Sequence, residues 1–178
     1  MPTYPRLASL LTAITPATLE TVFVKDVIPY LVDVWVDDYD QSTNNHDIVE
    51  TTVADFSYLF DVALGRLIAA WGISKGRHSG ARDKSRMAGH PLTAVPGYHR
   101  GHAIPHTLGG ATDINLVAQL GSVNIGPFRV LERQAVATPG ALYFTYWIYG
   151  RGTDQRPTSV QQGFVCSGRA PEIRTHAN

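Results

Sequence analysis

Between Gly97 and Gln134 the chain reads GYHRGHAIPHTLGGATDINLVAQLGSVNIGPFRVLERQ, which brings together His99, His102, His106, Asn115, Asn124, Glu132 and the arginines Arg100, Arg129 and Arg133. Histidine has an ordinary pKa of about 6.5, so a neutral imidazole is on hand to accept a proton near physiological pH. An amide oxygen and a carboxylate are hard donors suited to Mg²⁺, an ion that keeps several waters and takes few protein ligands. Arginine adds a planar fork that matches phosphate. The stretch therefore offers a base, a sparse hard-cation site and anion clamps.

Other readings of the same residues stay open at this level. His102 and His106 are spaced as two zinc ligands on a helix would be, but Gly101 and Pro105 disfavour a continuous helix, and no Glu follows His102 to complete a zinc-protease motif. A mononuclear zinc site from His99, His102 and His106 on an extended loop is the remaining zinc alternative. Taken singly, each histidine reads as a surface or hydrogen-bonded core residue. Asn124 reads as the N-cap of a helix starting near Gly126, Glu132 as a solvated helix residue and Arg100 as an exposed strand charge.

The elements that must position these residues read as α+β, with helices first and a small antiparallel sheet later. INLVAQL, with Asn115, is strand-like, and Pro127 suits the first turn of a helix carrying Phe128, Val130, Leu131 and Glu132. ALYFTYWIYG and SVQQGFVC read as strands from their aromatic and β-branched content, joined by the turn residues of RGTDQRP. Upstream, Val53, Phe56, Phe60, Leu64, Leu67 and Trp71 recur at steps of three and four, which predicts an amphipathic helix capped at Gly72 or Gly76. A second helix is expected from about Thr18 to Asp38, kinked or broken at Pro29, with DDYDQSTNN as the polar loop between the two. The expected organisation is a helical region over residues 1–74 and a second domain over 75–178.

The net charge is zero, but it is unevenly spread. Residues 1–74 hold ten acidic side chains against three basic ones, net −7, and residues 75–178 hold twelve basic against five acidic, net +7. Six of the seven histidines are in the basic half, which points to a polyanionic partner. The loop around Arg77, Arg82, Lys84 and Arg86 reads either as a solvated linker or as a phosphate-gripping arm. The single cysteine, Cys166, excludes an internal disulfide framework and a cysteine-built zinc site. Apolar runs are broken well before the roughly 20 residues a membrane helix needs, so no membrane span is expected. RLASLLTAITPA has an apolar run of only about eight residues and no clear small-residue cleavage site, so it reads as a first helix rather than a signal peptide. The expected location is the cytoplasm, or outside the cell by a signal-independent route.

At Arg100-Gly101-His102, Asn115, Asn124 and Glu132 the sequence resembles the metal-dependent, non-specific DNA/RNA endonucleases of the ββα-metal, or His-Me finger, class, whose signature is Asp-Arg-Gly-His followed by Asn, Asn and Glu. The resemblance covers about residues 97–134. It implies His102 as the general base, Asn124 as the Mg²⁺ ligand, and Glu132 as a holder of metal-bound waters. Mn²⁺ or another divalent ion would serve in the same place. It further implies Arg100 as the phosphate clamp, with Arg129 and Arg133 as further candidates, and Asn115 as an orienting residue. The family's Asp before Arg-Gly-His is His99 here, so its orienting hydrogen bond is replaced or lost, and His99 is a candidate phosphate donor. The implied partner is DNA or RNA. Such an activity endangers its own cell, so a toxin or secreted effector is one setting, with an inhibitor or immunity protein as partner and the acidic half as inhibitor, adaptor or scaffold. The alternative is a catalytically weak nucleic-acid-binding module on the same scaffold.

Overall fold

The protein is described from a computed structural model, which covers residues 1–12, 14–81 and 96–178. Six antiparallel strands form the main sheet in the order β1 (Ile48–Val53), β2 (Phe56–Asp61), β3 (Arg66–Ile73), β6 (Leu142–Tyr149), β7 (Pro157–Val165) and β8 (Glu172–Ala177). A separate antiparallel pair is made by β4 (Tyr98–His102) and β5 (Leu116–Leu120). Helices α1 (Leu7–Leu10), α2 (Leu19–Val22) and α3 (Ile28–Ser42) precede the sheet, and α4 (Gly121–Ile125) and α5 (Phe128–Ala137) follow β5. Mixed helix and antiparallel sheet were expected, and both are present.

The two helices that matter most cover opposite faces of the sheet. On α3, Leu31, Trp35 and Tyr39 recur every fourth residue and are buried. Trp35 packs 5.6 Å from Trp71, 5.2 Å from Phe144 and 6.1 Å from Tyr146, ring centroid to ring centroid. Alternate residues of β6 point the other way: Trp147 meets Phe128 of α5 at 6.0 Å, and Tyr143 accepts a hydrogen bond from Gln162, which also donates to the Phe128 carbonyl. With both faces covered, β6 is buried almost along its whole length and loses the polar alternation of a half-exposed strand.

Pro29 neither breaks nor ends its helix. Phe23–Val27 forms a π-helical turn immediately before α3, and Pro29 sits in the first turn of α3, where a missing N–H costs little. The segment expected as a polar loop continues as helix through Ser42 and turns extended at Thr43.

Residues 53–71 are not a helix. They contribute the end of β1, all of β2 and most of β3, so strands from before residue 74 pair with strands from after it. The apolar steps of three and four arise from two strands separated by a turn, with a register shift at Leu59/Phe60 that breaks the twofold rhythm. Gly72 lies inside β3, and Gly76, at φ 87°, follows that strand rather than a helix. Asp61 fixes the turn: its carboxylate accepts from the Leu64 N–H at 3.2 Å, the Asp47 N–H at 3.1 Å and the Tyr39 hydroxyl at 2.7 Å.

Among the described residues no helix is long and apolar enough to cross a membrane.

Candidate active site

β4 and β5 pair with Arg100 opposite Ala118 and His102 opposite Leu116. The strand alternation sends Arg100 and His102 to one face, and His99 and Gly101 to the other. Gly101 is required by close approach, because a Cβ there would lie 2.2 Å from Gln119 Oε1 on the neighbouring strand.

Immediately after His102 the chain is held by Asn115, which is fully buried in a 3₁₀ turn leading into β5. Its Oδ1 accepts from the Ile104 N–H at 2.7 Å, and its Nδ2 donates to the Ile104 and Ala111 carbonyls, each at 2.7 Å. Asn115 is thus a staple for the 103–111 loop and does not line the cavity. The loop turns through His106–Leu108 as 3₁₀ helix, closed by Gly109 at φ 99°. At the other end of β5, Asn178 accepts from the Leu120 N–H at 2.7 Å and donates to the Ala118 and Pro157 carbonyls at 2.9 Å, tying the two-stranded pair to β7.

A cavity of about 300 Å³ opens beside this pair, lined by Arg100, His102, His106, Asn124, Glu132 and Arg133 together with Arg129 and short loop segments. Asn124 comes from α4, whereas the N-cap of α5 is Pro127, so Asn124 is not spent as the cap expected for that helix. Glu132 comes from α5, whose other side buries Phe128, Leu131 and Ala135 against the sheet. Of the residues the sequence singled out, Arg100, His102, Asn124, Glu132, Arg129 and Arg133 converge here, while Asn115 and His99 stand behind them. A larger cavity of about 470 Å³ between the end of α3 and residues 151–153 holds no comparable set of base, carboxylate and arginines.

Two polar groups in this cavity have no hydrogen bond among the described residues. Burial pushes the Glu132 carboxyl up to about 7, against the opposing pull of Arg129 and Arg133, and among the described residues no hydrogen bond or ion pair holds it. Arg100 Nε is buried and has no hydrogen-bond partner among the described residues. A half-buried carboxylate short of hydrogen-bond donors is suited to a cation, and a buried guanidinium N–H without an acceptor to an anion.

His106 is the cavity residue that the sequence offered as a zinc ligand or as a surface or hydrogen-bonded core histidine. Its ring meets that of His78 edge-on at 5.6 Å, and the His78 N–H donates to the Thr107 carbonyl at 2.7 Å. The only signal for it was the i, i+4 spacing from His102. Among the described residues no group of three or more His, Cys, Asp or Glu side chains is placed to hold a metal, and His99 is on the opposite face of β4 from His102, so the three-histidine zinc arrangement is not formed. Of the expected phosphate-gripping arm, Arg77 is exposed, and Arg82, Lys84 and Arg86 lie outside the described residues.

No family model matches the chain, and no curated protein matches it. Among solved structures, NucA from Streptococcus agalactiae with magnesium ion bound is similar at a TM-score of 0.53 and 15% identity, over 81% of this chain and 87% of that one. The same protein with no metal bound gives 0.52 and 14%, over 81% and 88%. At that identity the likeness is one of fold: this chain shares the fold of NucA.

Proposed function

We propose that the chain is a divalent-cation-dependent nuclease that hydrolyses phosphodiester bonds of DNA or RNA with little sequence preference. The observation that carries the reading is the convergence of Arg100 and His102 from β4, Asn124 from α4 and Glu132 from α5 on one cavity. The shared fold with NucA, whose structure holds a magnesium ion, supports it. So does the ββα order of β4, β5 and the helices after them.

The donor set fits a hard divalent cation. Asn124 Oδ1 and, through water, Glu132 would hold Mg²⁺, which would offset charge developing on the phosphate and the leaving oxygen. Arg100, with its unpartnered Nε, binds the scissile phosphate and orients it. Arg129 and Arg133 are exposed at the rim and draw in the polyanion. His102 accepts the proton of the attacking water as the new P–O bond forms and the P–O bond to the leaving 3′ oxygen breaks, that oxygen taking its proton from a water molecule. Little sequence preference follows from contacts directed at phosphate rather than at base edges. The acidic helices act as scaffold in this reading, since α3 and α5 lie on opposite faces of the sheet.

The test is incubation of plasmid DNA and total RNA with the purified protein in Mg²⁺, with an EDTA control and His102→Ala. Degradation that needs the metal and drops by about 10²- to 10⁴-fold without His102 is expected. Binding without cleavage under Mg²⁺ and Mn²⁺ would instead identify a nucleic-acid-binding module on the same scaffold.

A further inference from the structure

His99 is exposed on the face of β4 turned away from Arg100 and His102, and it is absent from the cavity lining. Its ring instead lies over the start of α4, where Gly121 leaves room: a Cβ at Gly121 would come within 2.8 Å of His99 Nε2. From there His99 Nδ1 reaches Asn124 Nδ2 at 3.3 Å.

We propose that His99 is a positioning residue for the cation: by accepting a hydrogen bond from Asn124 Nδ2, its Nδ1 turns the amide oxygen of Asn124 toward the cavity. The two ends of an amide differ in hydrogen bonding. Oδ1 only accepts and Nδ2 only donates, yet the two ends have nearly the same shape, so packing alone barely distinguishes the two orientations. With Nδ2 committed to His99, the end left facing the cavity is the oxygen, which attracts a cation. In the flipped orientation an N–H₂ group would face the cavity and repel it. Gly121 belongs to the same device, because any side chain there would displace the imidazole. The inference rests on the cation site proposed above and explains how a histidine serves at a position where the resembling family has a carboxylate: both can accept.

The experiment is Mn²⁺ binding at pH 8, read from the electron paramagnetic resonance signal of the free ion, with thermal melts of every variant. His99→Leu removes the acceptor and is expected to weaken binding about tenfold, the scale of an outer hydrogen bond to a metal ligand. His99→Asn, whose Oδ1 stands in for Nδ1, is expected to retain most of the affinity. In Asn124→Asp both ends of the side chain are oxygen, so adding His99→Leu to that variant is expected to cost little. Unchanged binding in His99→Leu, or an equal loss with and without Asn124→Asp, would overturn the positioning role while leaving the cation site standing. A wild-type protein that takes up no Mn²⁺ would overturn the site itself and this role with it.

Discussion

Asp61, at the end of β2, and Glu132, on α5, are both carboxylates withdrawn from water, and the fold provides for them differently. Asp61 is fully buried and accepts three hydrogen bonds, from Tyr39, Asp47 and Leu64, with Arg66 opposite it across the strands. Arg66 in turn donates to the Asp154 and Gly152 carbonyls and lies 4.7 Å over the Tyr149 ring. Glu132 has two arginines close by and no hydrogen bond or ion pair among the described residues. A buried carboxylate surrounded by donors stabilises a turn; one left short of them weakens the fold and keeps binding capacity in reserve. The first region holds the architecture together, and the second is the one proposed to carry chemistry.

Breaking the first region has the largest expected effect. Asp61→Ala removes the acceptor of three hydrogen bonds and orphans their buried donors, so unfolding free energy should fall by about 3 kcal/mol or more, read as a lower urea midpoint. A midpoint near that of wild type would show that the turn does not depend on Asp61. Asn115→Ala comes next, at about 2–3 kcal/mol, since it orphans backbone groups at Ile104 and Ala111. Cleavage should fall with it, because the loop that carries His106 loses its staple. Loss of stability with full activity would separate the two. Asn178→Ala is expected to cost about 1–2 kcal/mol and to raise hydrogen exchange at the Leu120 amide, the group it holds.

The change with the smallest expected magnitude has the opposite sign. In the fold the Glu132 carboxyl is raised from 4.5 to about 7, so its protonated form is the one the folded state favours. Its contribution to stability is fully present below about pH 4.5 and is lost as pH rises through about 7. Glu132→Gln should therefore be more stable than wild type at pH 8, by about 1 kcal/mol after allowance for partial exposure, or about 2–4 °C in melting temperature. At pH 4 the two should melt together. The same variant should lose cation affinity and cleavage, and a variant that is less stable than wild type at pH 8 would mean that Glu132 serves the fold as Asp61 does.

That Arg100, His102, Asn124 and Glu132 would come together was legible because they sit in one short stretch, where spacing survives folding. The strands of residues 142–165 were legible for a related reason, since aromatic and β-branched runs bounded by turn residues admit few other structures. The region 48–73 was not, because a register shift and a tight turn imitate the period of a helix, and only pairing with β6, far along the chain, distinguishes the two. Pro29 misled because a π turn absorbs it. The place of His99 was out of reach for the same physical reason as the Asp61 cluster: its partner, Asn124, is set by how a helix docks on a strand pair.

The most direct test of the claim that Glu132 belongs to a cation site is its own titration, followed by the side-chain carboxyl ¹³C resonance with and without saturating Mg²⁺. A midpoint near 7 is expected without the ion, with a fall of more than about one unit in its presence, because a bound cation favours the carboxylate. A midpoint in the ordinary carboxylate range, or one that Mg²⁺ leaves in place, would contradict it.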